Sequence, residues 1–101
     1  MYITLSPQIR EGSLKASIKG DILTINGVSY DFTPLLEGSS LSSDAIDCVY
    51  IIDKVTRKNG VISLTLLLPI GFDAPTGASF PQPINAIQDG VINFPEGTNV
   101  D

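Results

Sequence analysis

Apolar and polar residues alternate along much of this chain, and the alternating runs are punctuated by two-residue turn signals at Asn26-Gly27, Asn59-Gly60 and Asp89-Gly90. A tight type I′ hairpin needs positive φ at both central residues, which Asn-Gly and Asp-Gly tolerate best. Counting outward from Asn26-Gly27 sets Ile25 against Val28 and Leu23 against Tyr30. Leu23, Ile25, Val28, Tyr30 and Phe32 then share one face, and Thr24, Ser29 and Asp31 take the other. The same count from Asn59-Gly60 puts Ile51, Val55, Ile62, Leu64, Leu66 and Leu68 on one face, with Lys54, Thr56, Lys58, Ser63 and Thr65 opposite. Two residues break this second pattern. Asp53 falls on the apolar side facing Leu66, and Arg57 falls on it facing Ile62. Either a β-bulge near Asp53 resets the alternation or the two side chains pair at the sheet margin; the bulge is favoured, because an unpaired buried carboxylate is costly.

The remaining segments extend the pattern. Tyr2 to Leu5 forms a first short strand, ended or edged by Pro7, which supplies no ladder donor. Leu14, Ala16 and Ile18 alternate with Lys15, Ser17 and Lys19, and Gly20-Asp21 turns the chain into Ile22 to Ile25. Leu14 to Phe32 is therefore a three-stranded meander. Periodicity is lost from Thr33 to Asp44, where Ser43 or Asp44 can cap one short helical turn through Ile46. Pro69 ends the second major hairpin, whose apolar strands form the centre of the core. Gly71 to Pro83, rich in proline and glycine, is an irregular connection pinned by Phe72 and Phe80. Ile84 to Ile87 and Val91 to Phe94 make a short closing hairpin around Asp89-Gly90. The expected fold is all-β: one domain over 1–94, with seven or eight short antiparallel strands in a sandwich or partly open barrel, minimal helix and a polar, frayed tail over 95–101.

Composition narrows function mainly by exclusion. Eleven carboxylates against six Lys and Arg give a formal charge of −5, and the one basic cluster, Lys54, Arg57 and Lys58, flanks a hairpin tip. A chain that binds nucleic acid needs a basic surface for the phosphates, so no nucleic-acid partner is expected. No membrane partner is expected either, since the longest apolar run, Leu64 to Ile70, is too short to span a bilayer. A single cysteine, Cys48, rules out an intrachain disulfide and fits a buried thiol in a reducing, cytoplasmic setting. The start of the chain, Met1 to Pro7, lacks the basic and apolar regions of a signal peptide.

There is no histidine, which removes the usual general base at neutral pH and the commonest metal ligand. No phosphate-binding glycine loop, nucleophile elbow or calcium loop is present. Asp44 and Asp47 beside a serine-rich loop are capping and solvation groups rather than a paired-carboxylate site. No catalytic residue, metal or cofactor is therefore expected. Binding through loops is the open possibility, with Thr33 to Asp44 and Gly71 to Pro83 as candidates and Leu36, Glu37, Gly38, Phe72 and Phe80 as the partner-binding positions.

Several phrases carry a resemblance: Leu5-Ser6-Pro7-Gln8, Ile25-Asn26-Gly27 with Tyr30-Asp31-Phe32, Leu36-Glu37-Gly38, the run Leu64 to Pro69, then Ala74-Pro75, Phe80-Pro81 and Pro83-Ile84. With them the chain resembles, along nearly its whole length, small phage and prophage proteins encoded among bacteriophage tail genes. The likeness departs at two places: Asp53 stands where those proteins often carry glycine, and Pro69-Ile70-Gly71 replaces a Pro-His-Gly. It implies a context and no mechanism: a non-enzymatic accessory protein that contacts phage structural or tail proteins, in the host cytoplasm or on the virion. The alternative is a small carbohydrate-binding module that stacks sugars on Tyr2, Tyr30, Tyr50 or a loop phenylalanine.

Overall fold

A computed structural model, described here for residues 1–73 and 80–99, contains nine strands and one 3-10 turn. They are β1 (Tyr2–Ile9), β2 (Ala16–Lys19), β3 (Ile22–Ile25), β4 (Val28–Asp31), β5 (Ser40–Leu41), β6 (Ile51–Lys58), β7 (Val61–Ile70), β8 (Ile84–Asn85) and β9 (Gly90–Val91), with the 3-10 turn at Ser43–Ala45. One sheet has the order β5-β6-β7-β1-β8 and the other β4-β3-β2-β9. The fold is all-β, as the alternation predicts. Inward residues of both sheets, among them Ile3, Leu5, Ile18, Leu23, Val55 and Leu66, form a single core. No helix of the described residues is long and apolar enough to cross a membrane.

Both Asn-Gly turns form as their chemistry requires. Asn26 and Gly27 have φ of 50° and 86°, Asn59 and Gly60 of 54° and 77°, and the pairs Ile25↔Val28, Leu23↔Tyr30, Lys58↔Val61 and Arg57↔Ile62 follow. The meander from β2 to β4 is continuous. In the second hairpin the pairing slips: Thr56 faces Ser63 but Ile52 faces Thr65, leaving Asp53 to Val55 opposite Leu64 alone. Asp53 sits at this bulge with a φ of 63°, a conformation that Asp tolerates better than most residues, and its carboxylate accepts the Lys54 N–H at 2.9 Å. A slip of one residue would turn Ile51 out of the core. This one shifts the register by two, so Ile51 and Val55 both stay buried. Asp53 and Arg57 are not paired.

Other expectations change. β1 runs through Pro7 to Ile9 and pairs in parallel with β7, from Tyr2↔Ser63 to Ile9↔Ile70, and β7 runs through Pro69. Both prolines fit because of where their missing donors fall. Arg10 donates its N–H to the Ile70 carbonyl, so even-numbered residues of β1 turn their backbone groups toward β7 and Pro7 turns away. On that side β8 pairs only with Tyr2 and Ile3. Pro69 likewise faces the β6 side beyond Ile51, where β6 has not yet begun, and there its carbonyl accepts the Asn99 N–H. Proline is tolerated in a strand where the neighbouring ladder has run out.

The closing hairpin does not form. β8 pairs with β1 and β9 with β2, so the two flanks of Asp89-Gly90 join different sheets. Phe72 and Phe80 do not pin the connection: they are 89% and 77% exposed, and residues 74–79 between them lie outside the described residues. Of the tail expected over 95–101, residues 100–101 lie outside the described residues, and the described part bonds to the body of the fold. Thr98 bridges Ile70, and Asn99 bonds Pro69, Leu14 and Arg10. The cap of the 3-10 turn is Ser42, not Ser43 or Asp44, and its hydroxyl accepts the Asp44 N–H at 3.3 Å. Cys48 is half-buried against the core rather than enclosed in it.

Candidate functional site

The loop from Phe32 to Ser39 connects the two sheets, and a set of polar side chains fastens it to the β6–β7 turn. Arg57 lies on the core side of β6, so its stem runs over apolar neighbours while its head reaches the margin. There Nε donates to the Leu35 carbonyl at 2.6 Å, Nη2 to the Phe32 carbonyl at 3.1 Å and Nη1 to the Gly60 carbonyl at 3.3 Å. Nη2 also meets Asp21 Oδ2 at 2.8 Å. One planar cation thus joins β6, the β2–β3 turn and the loop, which suits the fixed fork of a guanidinium.

Glu37 completes the attachment from the loop side. Its Oε2 accepts the Asn59 N–H and its Oε1 the Gly60 N–H, both at 2.7 Å. Gly38, at a φ of 78°, donates its N–H to the Arg57 carbonyl at 2.9 Å. Of the loop positions expected to bind a partner, Glu37 and Gly38 are therefore committed to the fold, while Leu36 is 73% exposed. This latch is only half legible in the sequence. Arg57 on an apolar face is a visible anomaly, but its partner Asp21 lies 36 residues away, and nothing local marks Glu37.

The tyrosines are unequally available. Tyr2 is 41% exposed. The Tyr50 hydroxyl approaches Gly12 so closely that a Cβ there would lie 2.7 Å from it, and the Tyr30 hydroxyl donates to the Asp47 carbonyl at 3.0 Å. Hydrogen bonding with Cys48, then burial, then electrostatic interaction with Cys48 and Asp47 push the Tyr30 phenol up to about 12. Asp31 is shifted the other way, its carboxylate held below the ordinary range by the side chain and backbone N–H of Thr33. Among the described residues, no group of three acidic or cysteine side chains stands close enough to hold a metal ion.

Pairing of β9 with β2 leaves an open groove of about 760 Å³ between β2 and the segment after β9, with Ala16, Ser17, Val91, Phe94, Pro95 and Thr98 on its walls. The Thr98 hydroxyl is buried without a hydrogen-bond partner. The groove has no sequence signature, since its walls come from opposite ends of the chain. Phe72 and Phe80 lie at the two ends of the β7–β8 connection, with large apolar surfaces turned to solvent. Compared with known proteins, the chain matches no family model, no curated protein and no solved structure.

Proposed function

We propose that this chain is a non-enzymatic accessory protein of a phage or prophage, working by protein–protein contact in tail or tail-fibre assembly, in the host cytoplasm or on the virion. The observation that carries the reading is the exposure of Phe72 and Phe80, at 89% and 77%. Two phenylalanines that contribute little to their own core are apolar surface available to a partner, and aromatic anchors of this kind dominate many protein interfaces. Leu36, next to Glu37 in the loop, adds a third such position at 73%. The lack of histidine supports contact over catalysis, and the resemblance to small phage tail-region proteins supplies the class of partner.

The test is co-sedimentation of the full chain with phage tails purified from an induced culture of the source strain. The wild-type chain is expected to sediment with tails, and the F72S/F80S double variant to stay in solution while keeping the wild-type unfolding curve. A wild-type chain that stays in solution, or a double variant that sediments equally, rejects the reading.

A further inference from the structure

Two Asn-Gly steps occupy the same turn geometry in this fold, yet their side chains are held very differently. Asn26 is fastened on three sides: its N–H donates to the Lys15 carbonyl, its Oδ1 accepts the Lys15 N–H, and its Nδ2 donates to the Ser13 carbonyl, all within 2.9 Å. Those bonds anchor the stretch that carries Leu14, which is fully buried, so freeing Asn26 disturbs the core. The amide of Asn59 has no hydrogen-bond partner among the described residues. What restrains that turn is the Glu37 carboxylate on its two N–H groups, with one longer bond from Arg57 Nη1 to the Gly60 carbonyl at 3.3 Å, and Glu37, Asn59 and Gly60 are all exposed.

We propose that Asn59 is a site of spontaneous deamidation and that the Glu37 latch sets its rate. In the reaction the Gly60 nitrogen, after giving its proton to solvent base, attacks Cγ of Asn59. The N–Cγ bond forms, the conjugate acid of that base returns the proton to Nδ2, the Cγ–Nδ2 bond breaks, and ammonia leaves. Water then opens the succinimide ring to aspartate or isoaspartate. Asparagine is the thermolabile partner in such a step, and glycine after it leaves the approach unhindered. Glu37 opposes the step twice: it holds the Gly60 N–H in a hydrogen bond, and its negative charge disfavours the amide anion. Local opening at Asn59 releases an exposed turn with its bonds to Glu37 and Arg57, whereas opening at Asn26 costs core packing. The product changes the latch in turn. A new carboxylate at position 59 adds like charge to the turn whose N–H groups Glu37 holds, and the extra backbone methylene of isoaspartate breaks the two-residue turn. This goes beyond the proposed partner role and does not depend on it.

The experiment incubates the full chain at mildly alkaline pH and maps its peptides by mass spectrometry, with isoaspartyl methyltransferase labelling as the second readout. Conversion at Asn59 is expected to outpace conversion at Asn26. In E37A the Asn59 rate is expected to rise about tenfold, the equivalent of one lost charge-assisted hydrogen bond, with Asn26 unchanged. Asn26 reports on global folding within the same sample. Equal or faster conversion at Asn26 in the wild type overturns the site assignment. An E37A or E37Q variant whose Asn59 rate does not move, or moves only together with Asn26, overturns the role of the latch.

Discussion

Asn59-Gly60 reverses the chain between strands of eight and ten residues, whereas Asp89-Gly90 leads into the two-residue β9, which belongs to a different sheet from the two-residue β8 before it. The flanks of the first turn supply Val55, Ile62, Leu64 and Leu66 to the core; the segment around the second turns Ile87 and Val91 out, at 83% and 78% exposed. A turn dipeptide permits reversal but does not compel it. What compels it is a matched pair of apolar faces on both sides, long enough for the ladder and the core to reward the closure. Around Asp89-Gly90 the chain instead passes from one sheet to the other, and the Asp89 carboxylate accepts the Gly20 N–H at 2.9 Å rather than serving its own turn.

The sharpest way to break this contrast is to delete equal volumes in the two regions. Leu66 is fully buried and stands between Leu5 of β1 and Ile51 of β6. Leu66→Ala is expected to cost about 2–5 kcal/mol in urea unfolding, the usual range for a cavity left in a packed core. Ile87→Ala, with its side chain in solvent, is expected to stay within about 0.5 kcal/mol of the wild type, as surface changes do. Similar losses from both would mean that the closing segment packs as tightly as the hairpin.

The same contrast explains which parts of the fold the residues announce. The hairpins are legible because their determinants are local: positive φ at Asn-Gly, and alternation that assigns every side chain to a face. Even the bulge at Asp53 announces itself as one misplaced carboxylate. The parallel pairing of β1 with β7 is not legible, because it joins residues some 60 positions apart and leaves no period in the sequence. Pro7 and Pro69 mislead for a related reason: a proline excludes a ladder bond only on the side its nitrogen faces, and that side is set by tertiary pairing. In the candidate site, the exposed Phe72 and Phe80 could be named but not placed. The apolar alternative, packing onto their own sheet, is the ordinary fate of such side chains.

A second pair of substitutions compares the polar attachments of the two regions. Arg57 is mostly buried, its side chain 14% exposed, and serves three carbonyls and Asp21. Arg57→Ala is expected to destabilise by about 2–4 kcal/mol, because it strands partly buried acceptors as well as removing bonds. Arg57→Lys should recover only part of this, since an ammonium cannot span the same fork. Asp89→Ala removes one exposed bond and is expected to move the urea midpoint by a small fraction of that. If Arg57→Ala proved as mild as Asp89→Ala, the latch would be ornament on a loop that packs without it.

The smallest expected effect concerns pH and again sets a hairpin against the rest. Tyr30 on β4 reaches across to the Asp47 carbonyl, and its phenol, held up to about 12 mainly by hydrogen bonding with Cys48, keeps its proton longer in the folded chain than the ordinary value of 10 allows when unfolded. Between those values the folded state binds more protons than the unfolded one, so stability falls as pH rises through the window and is unaffected by this group below it. Spectrophotometric titration should show one phenol ionising well after an unperturbed tyrosine. Cys48→Ala should bring that late ionisation back toward 10, and Tyr30→Phe should flatten the alkaline loss of stability relative to the wild type. If Tyr30→Phe retained the full alkaline slope, the loss would have to originate elsewhere in the molecule, and the contact between β4 and Asp47 would contribute nothing pH-sensitive to the hairpin side of the fold.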